Sequence, residues 1–327
     1  MKILVTGASG FIGSHVVRRL TAIGHDAVAT GRNPTRLANL RALPCVSKTV
    51  DLAVDSLSSV LEGVEAIVHC AARSAPWGPR HLFWSDNVVA TERLIAAARQ
   101  AGSVRKFVHL SSPSIYFRRC DQFNIEESFT PPKRWYTPYA ETKWIAEERV
   151  RGASELGPTI LRPRAVFGPG DRAIVPRIVA VARSGLFPLP NAGEAWADIT
   201  YIENVVTAIE RALECDQALD ERVFNISNGE PIQIRDLVGR LLRSLGLHTR
   251  LISMPRHLAM AVASLSERAA WLRGGNREPR LTCYGVGLLA YSQTLCIEAA
   301  RKHLGYVPAV SIDEGMDRYA RWWRNQP

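Results

Sequence analysis

The sequence predicts a doubly wound α/β fold: a parallel sheet with helices on both faces, and a smaller, mainly helical lobe toward the C-terminus. Three observations carry this. Short apolar runs alternate with helical stretches, the pattern of repeated strand–helix–strand units. The first run, ILVT at 3–6, opens directly into 6-TGASGFIG-13. Beyond about residue 165 the alternation loosens, with prolines at 169, 176, 188 and 190.

The elements follow in order. ILVT reads as a buried strand, and FIGSHVVRRLTAIG as a helix ending at Gly24. DAVAT at 26–30, AIVHCAA at 66–72, KFVHLSS at 106–112 and TILRP at 159–163 read as further strands, and NVVATERLIAAARQAG at 87–102 as the clearest helix. The division expected is a dinucleotide-binding unit over 1–165 with a returning segment at about 196–228, and a substrate lobe over about 166–195 and 229–327. The apolar stretch 258-LAMAVASLSERAAWL-272 is expected to pack within that lobe, because no basic polar face accompanies it to suit a membrane surface. The terminal RYARWWRNQP should dock Trp322 or Trp323 on the fold.

Composition narrows the function classes. Hydrophobic residues make up 46% and charged residues 22%, ordinary for a globular protein. The net charge of +10 comes from scattered cations with no run of five, which argues against a nucleic-acid arm and for a modest preference for anionic ligands. The six cysteines form no CxxC and the eight histidines no HExxH, so a metal site is not expected, and reduced thiols in a cytoplasm fit. No apolar run is long enough to span a membrane, and the N-terminal run is too short for a signal-peptide core. The partner expected is a small molecule. Assembly as a homodimer is left open.

Gly7, Gly10 and Gly13 are spaced by three, at the point where a strand opens a helix. Such a turn offers free backbone N–H groups and the positive end of a helix dipole, and without side chains it lets a pyrophosphate approach closely. Dinucleotide binding is the reading. A second pattern is 139-YAETK-143. Positions i and i+4 share one helix face. An ammonium beneath a phenol favours phenolate, and a phenol tuned toward working pH can exchange a proton with a substrate.

With its TGxxGxxG turn, 108-VHLSSPSIY-116, YAETK, 161-LRPRAVFGPGD-171 and 198-DITYIENVV-206, the chain resembles the extended branch of the short-chain dehydrogenase/reductase superfamily. Its phrasing is closest to the 3β-hydroxysteroid dehydrogenase-like group. The resemblance implies a Rossmann-type domain and a nicotinamide cofactor. It places Ser9, Phe11 and Ile12 with the three glycines at the pyrophosphate, and Asp51 and Leu52 at the adenine. It places Ala71 and Ala72 beside the ribose, Asn87 where the family has its cofactor-side helix-four asparagine, and Pro163 and Val166 under the nicotinamide. Tyr139 becomes the acid/base and Lys143 a holder of the ribose hydroxyls. Among Ser111, Ser112 and Ser114, the family spacing of four residues before Tyr116 selects Ser112, with Ser114 as the alternative; Pro113 is a departure that touches the local geometry.

No acid ends the second strand, where Thr30, Gly31 and Arg32 stand, and Arg36 follows. An arginine there suits a 2′-phosphate, so NADP(H) is favoured, with NAD(H) the alternative. Sugar-nucleotide relatives carry an asparagine where Ala165 stands and an arginine where 194-EAWADITY-201 has none. This disfavours a nucleotide-sugar epimerase, though it remains an alternative, as does a non-catalytic NADP-binding sensor. A ketone or alcohol on a mainly apolar substrate fits better. Trp77, Phe83, Trp84, Phe117, Phe167, Phe187 and Trp196 are pocket candidates, each equally explained by core packing.

Overall fold

The computed structural model describes the chain except residues 129, 216–221, 276, 280 and 327, so part of the expected returning segment lies outside the described residues. Seven strands form one parallel sheet: β1 (Lys2–Thr6), β2 (Asp26–Gly31), β3 (Cys45–Thr49), β4 (Ala66–His69), β5 (Lys106–Leu110), β6 (Pro158–Pro163) and β7 (Val223–Ile226). Their order is β7-β6-β5-β4-β1-β2-β3, with every neighbour parallel. The order reverses between β1 and β4, and the crevice beyond the carboxyl ends of those strands is where such sheets take ligands.

The alternation of side chains along β1 builds both faces. Ile3 and Val5 join one buried cluster with Val16, Val17 and Leu20 of helix α1 (Phe11–Ala22), while Leu4 joins another on the opposite face with Leu94 and Ile95 of helix α2 (Ala90–Ala101). Helix α3 (Pro138–Arg151) covers the α2 face, and helix α4 (Ile202–Glu214) covers the α1 face. Two strands escaped the sequence reading. Cys45–Thr49 is an exposed edge without an apolar run, and Val223–Ile226 lies beyond the region where the alternation is regular.

The remaining chain builds smaller pieces around the crevice. Gln122–Ile125, Trp196–Ala197, Ile232–Gln233 and Gln293–Leu295 form a four-stranded sheet. Trp322 and Trp323 both pack on the cluster that holds Phe167 and Tyr201, as the C-terminal reading anticipated. The helix Arg256–Leu272 packs within the C-terminal part, as expected, against Cys283 and Val286. It buries Ala259 and Ala263, whereas Leu258, Leu265 and Leu272 are exposed. A helix apolar nearly all round does not announce which face packs, and here the small residues make the close contact.

Candidate active site

The glycine turn is shaped as a cradle. Gly7 sits at φ +66°, and a Cβ there would lie 2.7 Å from the Ala71 backbone nitrogen. A Cβ on Gly13 would collide with the Gly7 carbonyl, so the third glycine lets α1 start tight against the turn. Gly10 caps α1 without a side chain, and no acid stands in the helix's first turn. Ser9 abuts Gly31 at the end of β2, and Phe11 touches Gly170 of the loop after β6. Free N–H groups, a helix dipole and missing side chains fit the pyrophosphate of a dinucleotide.

Around this cradle, Thr6 Oγ1 reaches His69 Nδ1 at 2.7 Å and accepts the Ala71 N–H at 3.2 Å, which fixes the 69–72 segment. Asn87 is buried. Its Oδ1 accepts the Arg73 N–H at 2.7 Å, and its Nδ2 donates to Thr142 Oγ1 at 2.9 Å. Asn87 thus ties the loop after β4 to α3 beside Lys143. Leu52 is buried in the core, and Asp51 caps its own turn by accepting the Ala53 N–H at 2.9 Å. Arg32 is anchored: Nη1 and Nη2 donate to the two Asp86 carboxylate oxygens at 2.7 and 3.1 Å, and Asp51 lies 3.9 Å from Nη1. Arg36 forms no ion pair among the described residues; its backbone N–H takes the Asn33 cap. Pro163 ends β6 paired with Ile226, and Val166 pairs with Thr200 at the mouth of the crevice.

Local signals place Tyr139. Thr137 caps α3 by accepting the Ala140 N–H at 3.1 Å, with Pro138 at the first helical position, so Tyr139 stands in the first turn. Ser112 caps the short turn Pro113–Tyr116, its Oγ accepting the Ser114 N–H at 3.2 Å. Pro113 occupies the first position of that turn, where a missing N–H costs nothing, so it holds the serine in place. The Ser112 hydroxyl hydrogen-bonds Tyr139. Ser111 turns away and donates to Glu147 Oε2 at 2.6 Å. Ser114 is buried with no partner for its hydroxyl among the described residues.

The charges depart from expectation in one respect. Burial pushes the Tyr139 phenol above its ordinary value, opposed by the Ser112 hydrogen bond. Lys143 does not act on it directly. Its ammonium is buried and donates to the Leu110 carbonyl at 2.6 Å, with His109 Nε2 at 3.3 Å. Burial lowers Lys143 to about 8, while Glu147, one turn further along α3, holds it up. The i, i+4 spacing gave the shared face but not the direction of a long flexible side chain.

A buried ionic cluster beneath these residues was missed. Arg162 is 1% exposed and Glu147 0%. Arg162 Nε donates to Glu147 Oε2 at 3.1 Å, and Nη2 donates to Oε1. Nη1 donates to the Tyr116 hydroxyl, which itself donates to Asn225 Oδ1 at 2.8 Å. Two signals were available: Glu147 lies on the Tyr139–Lys143 face, and an arginine interrupts the apolar run of β6. Of the aromatic candidates, Phe83, Phe167 and Phe187 are core, and Trp84 and Trp196 are exposed. Phe117 meets Tyr284 edge-on at 5.0 Å, and Trp77 lies 5.0 Å from Trp271.

A model of the NAD dependent epimerase/dehydratase family matches residues 3–227. The chain belongs to that family. The 2-alkyl-3-oxoalkanoate reductase of Stenotrophomonas maltophilia (strain K279a) is 34% identical over 97% of this chain and 98% of its own length. The 3beta-hydroxysteroid-dehydrogenase/decarboxylase isoform 1 of Arabidopsis thaliana is 32% identical over 96% of this chain and 78% of its own. Among solved structures, MoeE5 in complex with UDP-glucose and NAD is 26% identical with a TM-score of 0.75, covering 99% of both chains. The chain is an NAD(P)-dependent oxidoreductase of the extended short-chain dehydrogenase/reductase type, similar to the 3β-hydroxysteroid dehydrogenase-like members. No helix among the described residues is long and apolar enough to cross a membrane.

Proposed function

We propose that the protein interconverts a ketone or aldehyde and an alcohol on a mainly apolar small molecule, with NADP(H) as the redox partner. The observation that carries this is the pairing of Ser112 with Tyr139 above a buried Lys143. With the dinucleotide's pyrophosphate held in the glycine cradle, the cofactor would supply or accept the hydride at its nicotinamide. Tyr139 gives its hydroxyl proton to the substrate oxygen in reduction and takes it back in oxidation. Ser112 acts on the phenol in the free site and, with substrate bound, turns its single O–H onto the substrate oxygen to orient it. Lys143 holds positive charge beneath the site and is placed to reach ribose hydroxyls. Arg32, with no acid at the end of β2, favours a 2′-phosphate, and Asp86 holds its fork in place. The names of the relatives agree with carbonyl chemistry; the 2-alkyl-3-oxoalkanoate of one is a 3-oxo acid bearing an alkyl group. The segments around Trp77, Phe117 and Tyr284 serve as the substrate side.

Tyr139→Phe tests this. The ring stays and only the transferable proton goes, so the rate with a ketone panel should fall about 10²–10⁴-fold while NADPH still binds. Retained activity would sink the assignment. An epimerase, the alternative reading, would show no net oxidation of added NADPH against any ketone.

A further inference from the structure

Arg164 stands between Pro163 and Val166, in the loop placed under the nicotinamide, and is 6% exposed. Its backbone is fixed. The N–H donates to the Ile226 carbonyl at 2.9 Å, and the carbonyl accepts from Thr200 Oγ1 at 2.5 Å. Its side chain is not. The Nε finds no hydrogen-bond partner among the described residues. Asp198 is near enough for its charge to be felt, but it makes no ion pair with Arg164. The Leu295 N–H holds Asp198 Oδ2 at 2.7 Å, and Oδ1 is unpartnered. Gln293, paired in its strand with Ala197, leaves both side-chain polar atoms unpartnered, as Ser114 does its hydroxyl. Asp198 and Gln293 are neighbours, the Asp198 N–H donating to the Gln293 carbonyl at 3.4 Å. Tyr284 links this floor to the reaction centre, since it interacts electrostatically with both Arg164 and Tyr139.

A guanidinium edge buried without a hydrogen-bond partner is costly to a fold. Its planar fork matches a carboxylate. We propose that Arg164 receives the carboxylate of the substrate, so that the molecule oxidised or reduced at Tyr139 is an oxo- or hydroxy-acid rather than a neutral ketone. The inference rests on the oxidoreductase reading above and adds the residue that selects the acid. A neutral ester has no charge to offer Arg164 and leaves it as unpaired as before.

The test compares 3-hydroxydecanoate with its methyl ester, oxidised with NADP. Charged hydrogen bonds of this kind contribute about 1.5–3 kcal/mol, or roughly 10–150-fold in kcat/KM in favour of the acid. Arg164→Gln should remove that preference by lowering the acid and sparing the ester, and Arg164→Lys should restore part of it. Equal rates for acid and ester in the unaltered enzyme overturn the inference while leaving the oxidoreductase reading intact. Equal losses for both in Arg164→Gln also overturn it, and assign Arg164 to the support of Asp198. A thermal-shift titration with decanoate and methyl decanoate, without cofactor, reads the site independently of turnover. Stabilisation of the unaltered protein by decanoate alone supports the site even if neither alcohol is oxidised, in which case the oxidoreductase reading fails and the anion site stands. Equal shifts from both probes count against it.

Discussion

Arg162 and Arg164 lie two residues apart at the end of β6, both buried, and their surroundings are opposite. Every edge of Arg162 is engaged by Glu147, Tyr116 and the Glu127 carbonyl. Burial acts most strongly against its charge, but Glu147 and Tyr116 together outweigh it and hold the guanidinium above its ordinary value. Arg164 has only the burial, which lowers it, with Tyr284 and Asp198 opposing weakly. The same side chain, two residues on, is a structural tie in one position and an unfilled binding group in the other. Hydrogen-bond satisfaction, not burial or charge, separates the two roles.

Removing either partner of the satisfied pair should have the largest effect. Arg162→Met leaves the Glu147 carboxylate buried without a cation, and we expect a loss of about 3–5 kcal/mol in urea unfolding. A loss below about 1 kcal/mol would erase the contrast between the two arginines. Arg32, clamped by Asp86 but half exposed, is a third case. Arg32→Ala should weaken NADP binding by about 1.5–3 kcal/mol with little change for NAD, measured by fluorescence titration of both. Equal losses for the two cofactors would return Arg32 to a loop contact. Arg164→Met should not destabilise at all. Replacing an unpaired buried charge with an apolar chain of similar length should leave the protein unchanged or up to about 2 kcal/mol more stable, read as an unchanged or raised melting temperature.

The smallest effect concerns pH. Lys143 is lowered to about 8 by burial, so its cation is present below that value and lost as pH rises through it. NADP affinity should therefore fall above pH of about 8. Glu147 holds Lys143 up, and Glu147→Gln should move that fall to lower pH. Stability runs the other way. The unfolded lysine keeps its proton at a pH where the folded one has lost it, so this group's cost to folding is relieved as pH rises from about 8. A flat affinity profile across that range would show that the ribose contact does not need the charge.

What the sequence disclosed follows the range of the interactions. The glycine turn, the Thr137–Pro138 helix start and the Ser112 turn are set by neighbours a few residues away, and each was readable. So were five of the seven strands of the central sheet, each an apolar run; Cys45–Thr49 and Val223–Ile226 were not. Arg164, Asp198 and Gln293 come together only through the crossing of distant segments, and nothing in their local spacing announces it. The Lys143 ammonium could have pointed to several partners on its helix face, and only packing against Leu110 decides which.

The seventh strand has a consequence for how the chain is made. Pro158–Pro163 leaves synthesis well before Val223–Ile226, and the intervening chain contributes to other sheets, so β6 waits as an open edge with unpaired backbone groups. Pairings between segments so far apart in sequence form slowly. Asn225, which accepts the Tyr116 hydroxyl, arrives only with that last strand, and its own N–H then takes Glu127 Oε1 at 2.7 Å. The ionic cluster under helix α3 is thus closed late in biogenesis, and a chain cut short before Ile226 would be released with Arg162 and Glu147 at an uncovered edge.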